Sequence, residues 1–301
     1  MKKHRIAAGR IAAAALTLLL VGAAPVAAIT YGEPDAGEHP YVGYLITFNP
    51  VDPGWVSCSG ALLDARTFLT AGHCVFNTGT NGALVASSDG NDAWVAIDES
   101  IDLSSFPRRA DYPDEASLYV ARSTWLEGDD SFTRGTVHAH PDFNDFAEFP
   151  INHDVGVVKL DDDVTVSRYA GLAPSGTLDE LADTAKDHNK VLIDSVGYGV
   201  QSYRPEFAYE RTRYRSTSTI VNLRSHLTDG YNVHTSNNPS PANGRGGSCS
   251  GDSGGPLLLS ETDTVVAVVS FGFNPNCKGA DYAARTDIED SLAFTVPYLE
   301  D

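Results

Sequence analysis

Ser253 lies in a segment of unusual composition, "GRGGSCSGDSGGP" at residues 244–256, which holds six glycines and three serines. A serine hydroxyl becomes a useful nucleophile only beside a base that takes its proton and donors that hold the resulting oxyanion. Neighbouring glycines let backbone N–H groups turn toward one point and let a substrate approach closely. The segment therefore predicts a nucleophilic serine. The alternative interpretation is a glycine-rich turn with an incidental serine.

Two further segments supply the partners that such a serine needs. "LTAGHC" places His73 directly after a strand-like run and before Cys74, where a general base would be held rigidly. "INHDVGVVKL" places Asp154 just before another apolar run, where its carboxylate could orient a histidine ring. Taken singly, a structural histidine and a strand-capping aspartate are the better interpretations. The hypothesis of a catalytic site depends on the three residues acting together.

The remaining histidines and acids predict no metal site and no cofactor. His138 and His140 alternate along a chain segment and could share one face of a strand, but no third ligand is evident, so solvated or structural histidines are expected. "DYPDEAS" and "EGDD" are acidic clusters that could bind calcium. Solvated surface is the expected state of both.

The elements that must position these residues are short strands. Glycine, aspartate, asparagine and proline separate strand-length apolar runs such as "YVGYLITF", "GALLDARTFLTA", "AWVAI", "SLYVA", "VGVVKL", "KVLIDSVGYG" and "VVAVVSFGF". This pattern indicates an antiparallel all-β protein, a sandwich or barrels. Helices are expected only in "LDELADTAK" and near the end of the chain in "DIEDSLAFTVPYLED". The polar stretch 161–176 is the best candidate for an internal boundary.

Residues 1–28 have the pattern of a secretory signal peptide: a basic start, an apolar centre and small residues before the cut. An uncleaved membrane anchor is the alternative. Cleavage after Ala28 would leave 273 residues and change the formal charge from −19 to −23, because four basic residues are removed. We expect a secreted, extracellular protein that has no membrane association after cleavage. So acidic a chain also argues against nucleic acid or anionic lipid as a partner.

The four cysteines, Cys58, Cys74, Cys249 and Cys277, are expected to form disulfides in an exported protein. Three pairings are possible, and the sequence by itself does not choose among them. A zinc site built from all four thiolates is disfavoured, since no two cysteines have the close spacing of a zinc knuckle.

"LTAGHC", "HDVGVVKL" and "GDSGGP", in this order, resemble the trypsin/chymotrypsin-type serine peptidases. The resemblance covers nearly all of the chain after residue 28. It implies an all-β fold of two antiparallel six-stranded β-barrels packed together, with a short C-terminal helix. Residues 29–165 would form the first barrel, with His73 and Asp154. Residues 166–301 would form the second, with Ser253 and the specificity pocket.

The resemblance also assigns roles. Ser253 would be the nucleophile, His73 the general acid–base and Asp154 its orienting partner, with an oxyanion hole formed by the N–H groups of Gly251 and Ser253. Cys58 would pair with Cys74, and Cys249 with Cys277. The predicted substrate-binding strand is Ser270, Phe271 and Gly272.

Members of this family bury a new N-terminal ammonium group against the aspartate before the nucleophile. The corresponding pair is Ile29 and Asp252, so signal cleavage itself would generate the activating terminus. The chain departs from the usual pattern here, because "TYG" follows Ile29 where "VGG" or "VNG" is commoner.

The pocket base resembles Gly247, followed by Ser248, where trypsin-like members carry an aspartate. This predicts a weak preference for an apolar or uncharged P1 residue, the residue before the cleaved bond. Asp281 would attract a basic residue if it reached the pocket, but a solvated loop aspartate is expected.

The predicted function is that of a secreted serine endopeptidase that cleaves polypeptides through an acyl-enzyme and acts as a monomer. The alternative is a non-catalytic binding or regulatory protein on the same fold.

Overall fold

The fold is taken from a computed structural model of the chain. It describes residues 29–30, 32–82, 89–184, 186–203, 207–238 and 246–300. The predicted signal peptide, residues 1–28, lies outside this part of the chain. Among the described residues, no helix is both long enough and apolar enough to cross a membrane.

The first barrel is a closed ring of six antiparallel strands, joined in the order β2-β3-β4-β7-β6-β5. Its strands are β2 (Val42–Asn49), β3 (Gly54–Leu62), β4 (Thr67–Thr70), β5 (Ala93–Ala96), β6 (Thr133–Ala139) and β7 (Gly156–Leu160). Its interior holds large apolar side chains such as Phe68 and Leu45, both fully buried. Three of the apolar runs noted in the sequence, "YVGYLITF", "AWVAI" and "VGVVKL", supply β2, β5 and β7.

The second barrel is a ring of six strands in the order β10-β11-β14-β13-β12-β9. The pairing of β9 with β10 closes this ring. Its strands are β9 (Leu192–Gly197), β10 (Tyr214–Asn222), β11 (Asn232–Asn237), β12 (Pro256–Leu259), β13 (Thr264–Gly272) and β14 (Gly279–Arg285). A short strand β8 (Gly171–Leu172) joins β13 in parallel. The prediction of two antiparallel six-stranded barrels is confirmed.

The first and last segments of the described part of the chain each contact the opposite barrel. Strand β1 (Glu33–Pro34) pairs with β10 of the second barrel. The buried guanidinium of Arg213 holds this segment, because it donates to Asp35 Oδ2 at 2.9 Å and to Val42 O at 2.9 Å. At the other end, Lys159 on β7 donates to Tyr298 O at 3.0 Å. The predicted boundary at residue 165 lies between β7 and β8. This boundary assigns β1 to the first barrel, although β1 pairs with β10 of the second.

Four α-helices occur in the described part of the chain: α1 (Gly72–Val75), α2 (Glu115–Glu127), α3 (Thr177–Leu181) and α4 (Glu289–Thr295). Short 3-10 turns lie at Arg109–Asp111, His188–Lys190 and Val296–Tyr298. Helices α3 and α4 fall where the sequence predicted them, and the C-terminal helix is therefore confirmed.

The run "SLYVA" is a helix, and its prediction as a strand was wrong. Asp114 caps helix α2 by accepting a hydrogen bond from Ser117 N at 2.8 Å. The helix buries Leu118 and Leu126 and leaves Val120 exposed. The cap also explains one carboxylate of the acidic cluster "DYPDEAS", since it satisfies a free N–H of the first turn.

Candidate active site

His73 and Asp154 meet because their strands are neighbours. Thr70 at the end of β4 pairs with Gly156 at the start of β7, so the residues just beyond this pair face each other. Asp154 is fully buried and accepts two hydrogen bonds from His73, from the backbone N at 2.7 Å and from ring Nδ1 at 2.9 Å. The disulfide between Cys58 and Cys74 ties the short helix α1 to β3. The histidine is thus fixed at both its backbone and its ring.

The Asp154 carboxylate selects one form of the histidine. Ser270 Oγ donates to Asp154 Oδ2 at 2.5 Å, which leaves this carboxylate as an acceptor toward His73 Nδ1. With the ring proton on Nδ1, Nε2 is free to accept a proton. Burial alone would lower the pKa of His73, but the charge and hydrogen bond of Asp154 outweigh it and raise this pKa above its ordinary 6.5. The side chain of His73 remains 23% exposed.

Ser253 lies at the seam between the barrels. Its carbonyl accepts from Ser59 N of the first barrel at 2.8 Å, and the next residue, Gly254, donates to Val269 O at 2.7 Å. A Cβ on Gly254 would lie 2.0 Å from Thr70 Oγ1 and 2.8 Å from Ala71 N, so only glycine permits this approach to the start of the histidine helix. Within the described part of the chain, the Ser253 side chain makes no hydrogen bond to His73. Such contacts often tighten only when substrate binds.

The N–H groups of Gly251 and Ser253 donate to no acceptor among the described residues. Two free N–H groups beside a serine hydroxyl form a suitable binding place for developing negative charge. Ser59 fixes this loop from the first barrel: its Oγ donates to Gly251 O at 2.9 Å and accepts from Tyr198 N at 3.0 Å. The sequence does not single out Ser59, because its partners are 139 and 192 residues away.

A cavity of about 190 Å³ opens next to Ser253. Its walls are residues 248–250, the end of β13 and the segment 274–281. The predicted substrate-binding residues Ser248, Ser270, Phe271 and Gly272 all lie in these walls. The second disulfide, Cys249–Cys277, joins two of the walls. Both disulfides have the pairing that the family resemblance implied.

Asp281 also lines this cavity, and the expectation of a solvated loop aspartate was wrong. It lies on β14 opposite Thr235 and is only 8% exposed. Its carboxylate accepts from Ser248 N at 2.6 Å and from Asn237 Nδ2 at 2.8 Å. Burial raises the pKa of Asp281 to about 6. Within the described residues, no lysine, arginine or histidine forms an ion pair with it.

Gly247, the predicted pocket-base position, does not itself line the cavity. A Cβ on Gly247 would lie 2.5 Å from Asp281 Oδ2 and 2.6 Å from Asn237 Cγ. The side chains of Asp281 and Asn237 therefore occupy the space that a side chain at 247 would fill. The carboxylate that the sequence lacked at 247 is supplied from the opposite wall.

An aromatic surface extends from His73 to the cavity. Phe146 lies 6.0 Å from the His73 ring, between centroids, and 6.0 Å from Phe271. Phe271 in turn stacks on Tyr282 with a centroid distance of 4.8 Å, and Phe149 packs against it at 5.2 Å. The predicted aromatic subsite residue, Phe271, is thus the centre of an extended apolar wall.

Asp252 is buried beneath the Ser253 loop. Its carboxylate accepts from Gly199 N at 2.8 Å and from Cys249 N at 2.9 Å. Burial raises the pKa of Asp252 to about 7, with a smaller contribution from the charge of Asp281. No cationic side chain of the described residues pairs with it. Ile29 is fully buried, and Thr30 next to it bridges to Gly247.

The chain is similar to known proteins in both sequence and fold. A family model described as Trypsin matches residues 110–292. A curated relative, Serine protease SP24D of Anopheles gambiae, is 26% identical over 238 residues, which is 79% of this chain and 69% of that protein.

Solved structures show the same fold. HL collagenase has a TM-score of 0.59 at 18% identity, with coverage of 89% of this chain and 96% of that one. Human heparin binding protein has a TM-score of 0.55 at 18% identity, with coverage of 90% and 96%.

Proposed function

Because the chain belongs to the trypsin family of serine proteases, we propose that it is an active, secreted endopeptidase that uses Ser253, His73 and Asp154. The observation that carries the proposal is the hydrogen-bonded line from His73 through Asp154 to Ser270, which lines the same cavity as Ser253. A merely structural histidine would not require a buried carboxylate and a hydroxyl that supports this carboxylate.

In the proposed reaction, Ser253 Oγ transfers its proton to His73 Nε2 and attacks the substrate carbonyl carbon. The oxyanion is held by the N–H groups of Gly251 and Ser253. The protonated His73 then gives its proton to the leaving amine, and an acyl-enzyme remains. Water enters, loses a proton to the same nitrogen and releases the new carboxyl terminus. Asp154 keeps its charge and stabilises the protonated ring.

The buried carboxylate of Asp281 makes the P1 pocket suitable for lysine or arginine. A substrate ammonium or guanidinium group would meet a carboxylate that has only uncharged donors around it. This differs from the apolar or uncharged preference that Gly247 and Ser248 predicted. We propose basic residues as the preferred P1 class and keep apolar residues as the alternative.

The P1 proposal is tested with peptides that differ only at that position, on the wild-type protein and on Asp281→Asn. We expect the variant to lose about 30-fold or more in kcat/KM toward lysine and arginine, since truncating one partner of a buried charge pair costs about 2 kcal/mol or more. Hydrolysis after leucine or phenylalanine should change little. A wild-type enzyme that prefers leucine and ignores the substitution would support the apolar alternative.

We also propose that maturation begins the active chain at Ile29. Asp252 is a buried carboxylate without a described cationic partner, and a new ammonium group at Ile29 would supply one. A buried charge is costly unless it is paired. Sequencing the N-terminus of the active secreted protein tests this step, and any start other than Ile29 would contradict it.

The alternative is a binding protein without catalysis. One similar structure is titled as a heparin binding protein, so this fold also serves binding. The formal charge of −19 disfavours a polyanionic ligand for this chain. Peptide hydrolysis by the wild type, compared with Ser253→Ala and with Ser218→Ala, a buried serine of β10 outside the cavity, as the control, separates the two functions. Only Ser253→Ala should lose activity.

A further inference from the structure

Two histidines face each other outside the proposed catalytic residues. His140 follows β6, and His153 directly precedes Asp154. Their rings are stacked, with centroids 4.9 Å apart and an interplanar angle of 16°. Both side chains are largely buried, at 4% and 13% exposure. The catalytic mechanism uses neither of them.

A carboxylate from the C-terminal helix joins this pair. Asp290 Oδ2 lies 2.7 Å from His153 Nδ1 and 3.4 Å from His140 Nε2. Asp142 is a second acid nearby: one possible ligand atom from each of His140, Asp142 and His153 lies within 4.8 Å of the others. The cluster therefore combines two imidazoles with two carboxylates, drawn from three separate parts of the chain.

This set of donors matches a transition-metal ion. Zinc binds imidazole nitrogen and carboxylate oxygen at about 2.0–2.2 Å in a tetrahedral arrangement, which places neighbouring ligand atoms about 3.3 Å apart. The separations of 2.7 and 3.4 Å from Asp290 Oδ2 are close to this value, and the nearly parallel rings must turn relative to each other for both nitrogens to point at one ion. Magnesium and calcium prefer sites made of oxygen alone, so two nitrogen ligands favour zinc over either.

We propose that His140 Nε2, His153 Nδ1 and Asp290 Oδ2 bind a zinc-class dication, with Asp142 as the outer carboxylate. In the metal-free protein, His140 Nδ1 accepts from Asp142 N at 3.2 Å, so its ring proton lies on Nε2. On metal binding the His140 proton moves to Nδ1, which breaks the hydrogen bond from Asp142 N. The proton that His153 Nδ1 donates to Asp290 moves to His153 Nε2, so no proton is lost from either ring. Phe294 and Tyr231 pack on the two rings, and Asp290, at 35% exposure, provides access from solvent.

This site differs from the pair that the sequence offered. His138 does not join His140; it contacts Asp89 and stacks on Tyr298 instead. The further ligands are His153 and Asp290, and no pattern in the sequence connects either of them with His140. The expectation of no metal site is thus replaced by this proposal. The other group of possible ligands, Cys58, His73 and Cys74, is not a candidate, since its two sulfurs form a disulfide.

The site has a direct route to the catalytic centre. His153 is bonded to Asp154 and has a left-handed backbone with φ of 44°, which an ordinary side chain rarely adopts. A metal that moves the His153 ring also shifts the backbone that positions the Asp154 carboxylate against His73. We therefore expect zinc to lower kcat, a consequence that rests on the proposed function.

The binding test uses the mature protein carrying Ser253→Ala, so its outcome does not depend on catalysis. Titration calorimetry with zinc sulfate, together with metal analysis after gel filtration, should give one zinc per chain. His153→Gln and Asp290→Asn should each bind at least ~10–100-fold more weakly, because even outer-shell partners of a metal contribute that much. His138→Gln is the matched control and should bind like the parent. Thermal unfolding of each variant without metal checks that it is folded.

No zinc on the parent, equal affinity in both ligand variants, or equally tight binding of magnesium would each overturn the site. The activity test then compares the enzyme with and without zinc. The wild type and His138→Gln should be inhibited and recover with a chelator, whereas His153→Gln should be insensitive. Zinc that binds at one per chain without changing kcat would overturn the coupling to Asp154.

Discussion

Replacing Ser59 by alanine should damage both stability and catalysis, although Ser59 touches neither His73 nor the cavity. Its hydroxyl donates to Gly251 O at 2.9 Å and accepts from Tyr198 N at 3.0 Å, and the residue is fully buried. Ser59→Ala leaves one carbonyl and one N–H group without these partners.

The size of the effect follows from these two groups. An unsatisfied buried polar group costs about 1–3 kcal/mol, so the loss of both partners should lower the free energy of unfolding by about 2–6 kcal/mol. A domain of this size loses about 2–4 °C in Tm for each kcal/mol, and the expected decrease is therefore about 4–24 °C. Since Gly251 carries a proposed oxyanion donor, kcat should also fall by about 10–100-fold with little change in KM.

Ser218→Ala is the matched control. Ser218 is equally buried in β10, but its Oγ has no hydrogen-bond partner among the described residues. Removing this hydroxyl should leave Tm unchanged or raise it. Tm by calorimetry and kcat with a peptide substrate are measured for both variants and the wild type. A Ser59→Ala protein with a kcat within twofold of the wild type and a Tm no lower than that of Ser218→Ala would refute the role of Ser59.

Three further predictions concern ionisation and the disulfides. The acid limb of the kcat–pH profile should lie above pH 6.5, because Asp154 raises the pKa of His73 and only the neutral ring accepts the serine proton; a limb below 6.5 would contradict this. In the unprocessed chain, the pKa of Asp252 is about 7 in the folded protein, compared with its ordinary value of 3.8. As the pH rises from about 4 to 7, the unfolded chain releases this proton while the folded protein keeps it, so the free energy of unfolding falls. Asp252→Asn should therefore raise Tm of that chain at pH 7.5 by several degrees and hardly change it at pH 4; an equal shift at both pH values would count against the assignment. Reduction of the two disulfides should lower the free energy of unfolding by about 2–4 kcal/mol each, as measured by denaturant unfolding with and without a reductant.

The sequence predicted the proposed catalytic residues because each belongs to a short motif at the end of an apolar strand. Strands β4 and β7 were recognisable as apolar runs, and their antiparallel pairing is what brings His73 to Asp154. The glycines around Ser253 carried a similar local signal, since Gly254 must pass close to Thr70. Local patterns were enough wherever the geometry depends on neighbouring residues.

The features that the sequence did not predict depend on contacts between distant segments. Asp281 reaches the cavity because β14 pairs with β11 in a register that places it beside Asn237, and no local pattern encodes that register. The cluster of His140, His153 and Asp290 assembles from residues up to 150 positions apart. Helix α2 is different: its cap, Asp114 with Ser117, was present in the sequence, but five apolar and small residues looked equally suited to a strand.

The most direct test of the central claim is labelling of the secreted protein with a fluorophosphonate probe, which reacts with an activated serine, together with sequencing of the N-terminus of the same sample. We expect labelling of the wild-type chain that starts at Ile29 and none of Ser253→Ala. A folded chain that starts at Ile29 and does not react with the probe would contradict the assignment of Ser253, His73 and Asp154 as a working catalytic site.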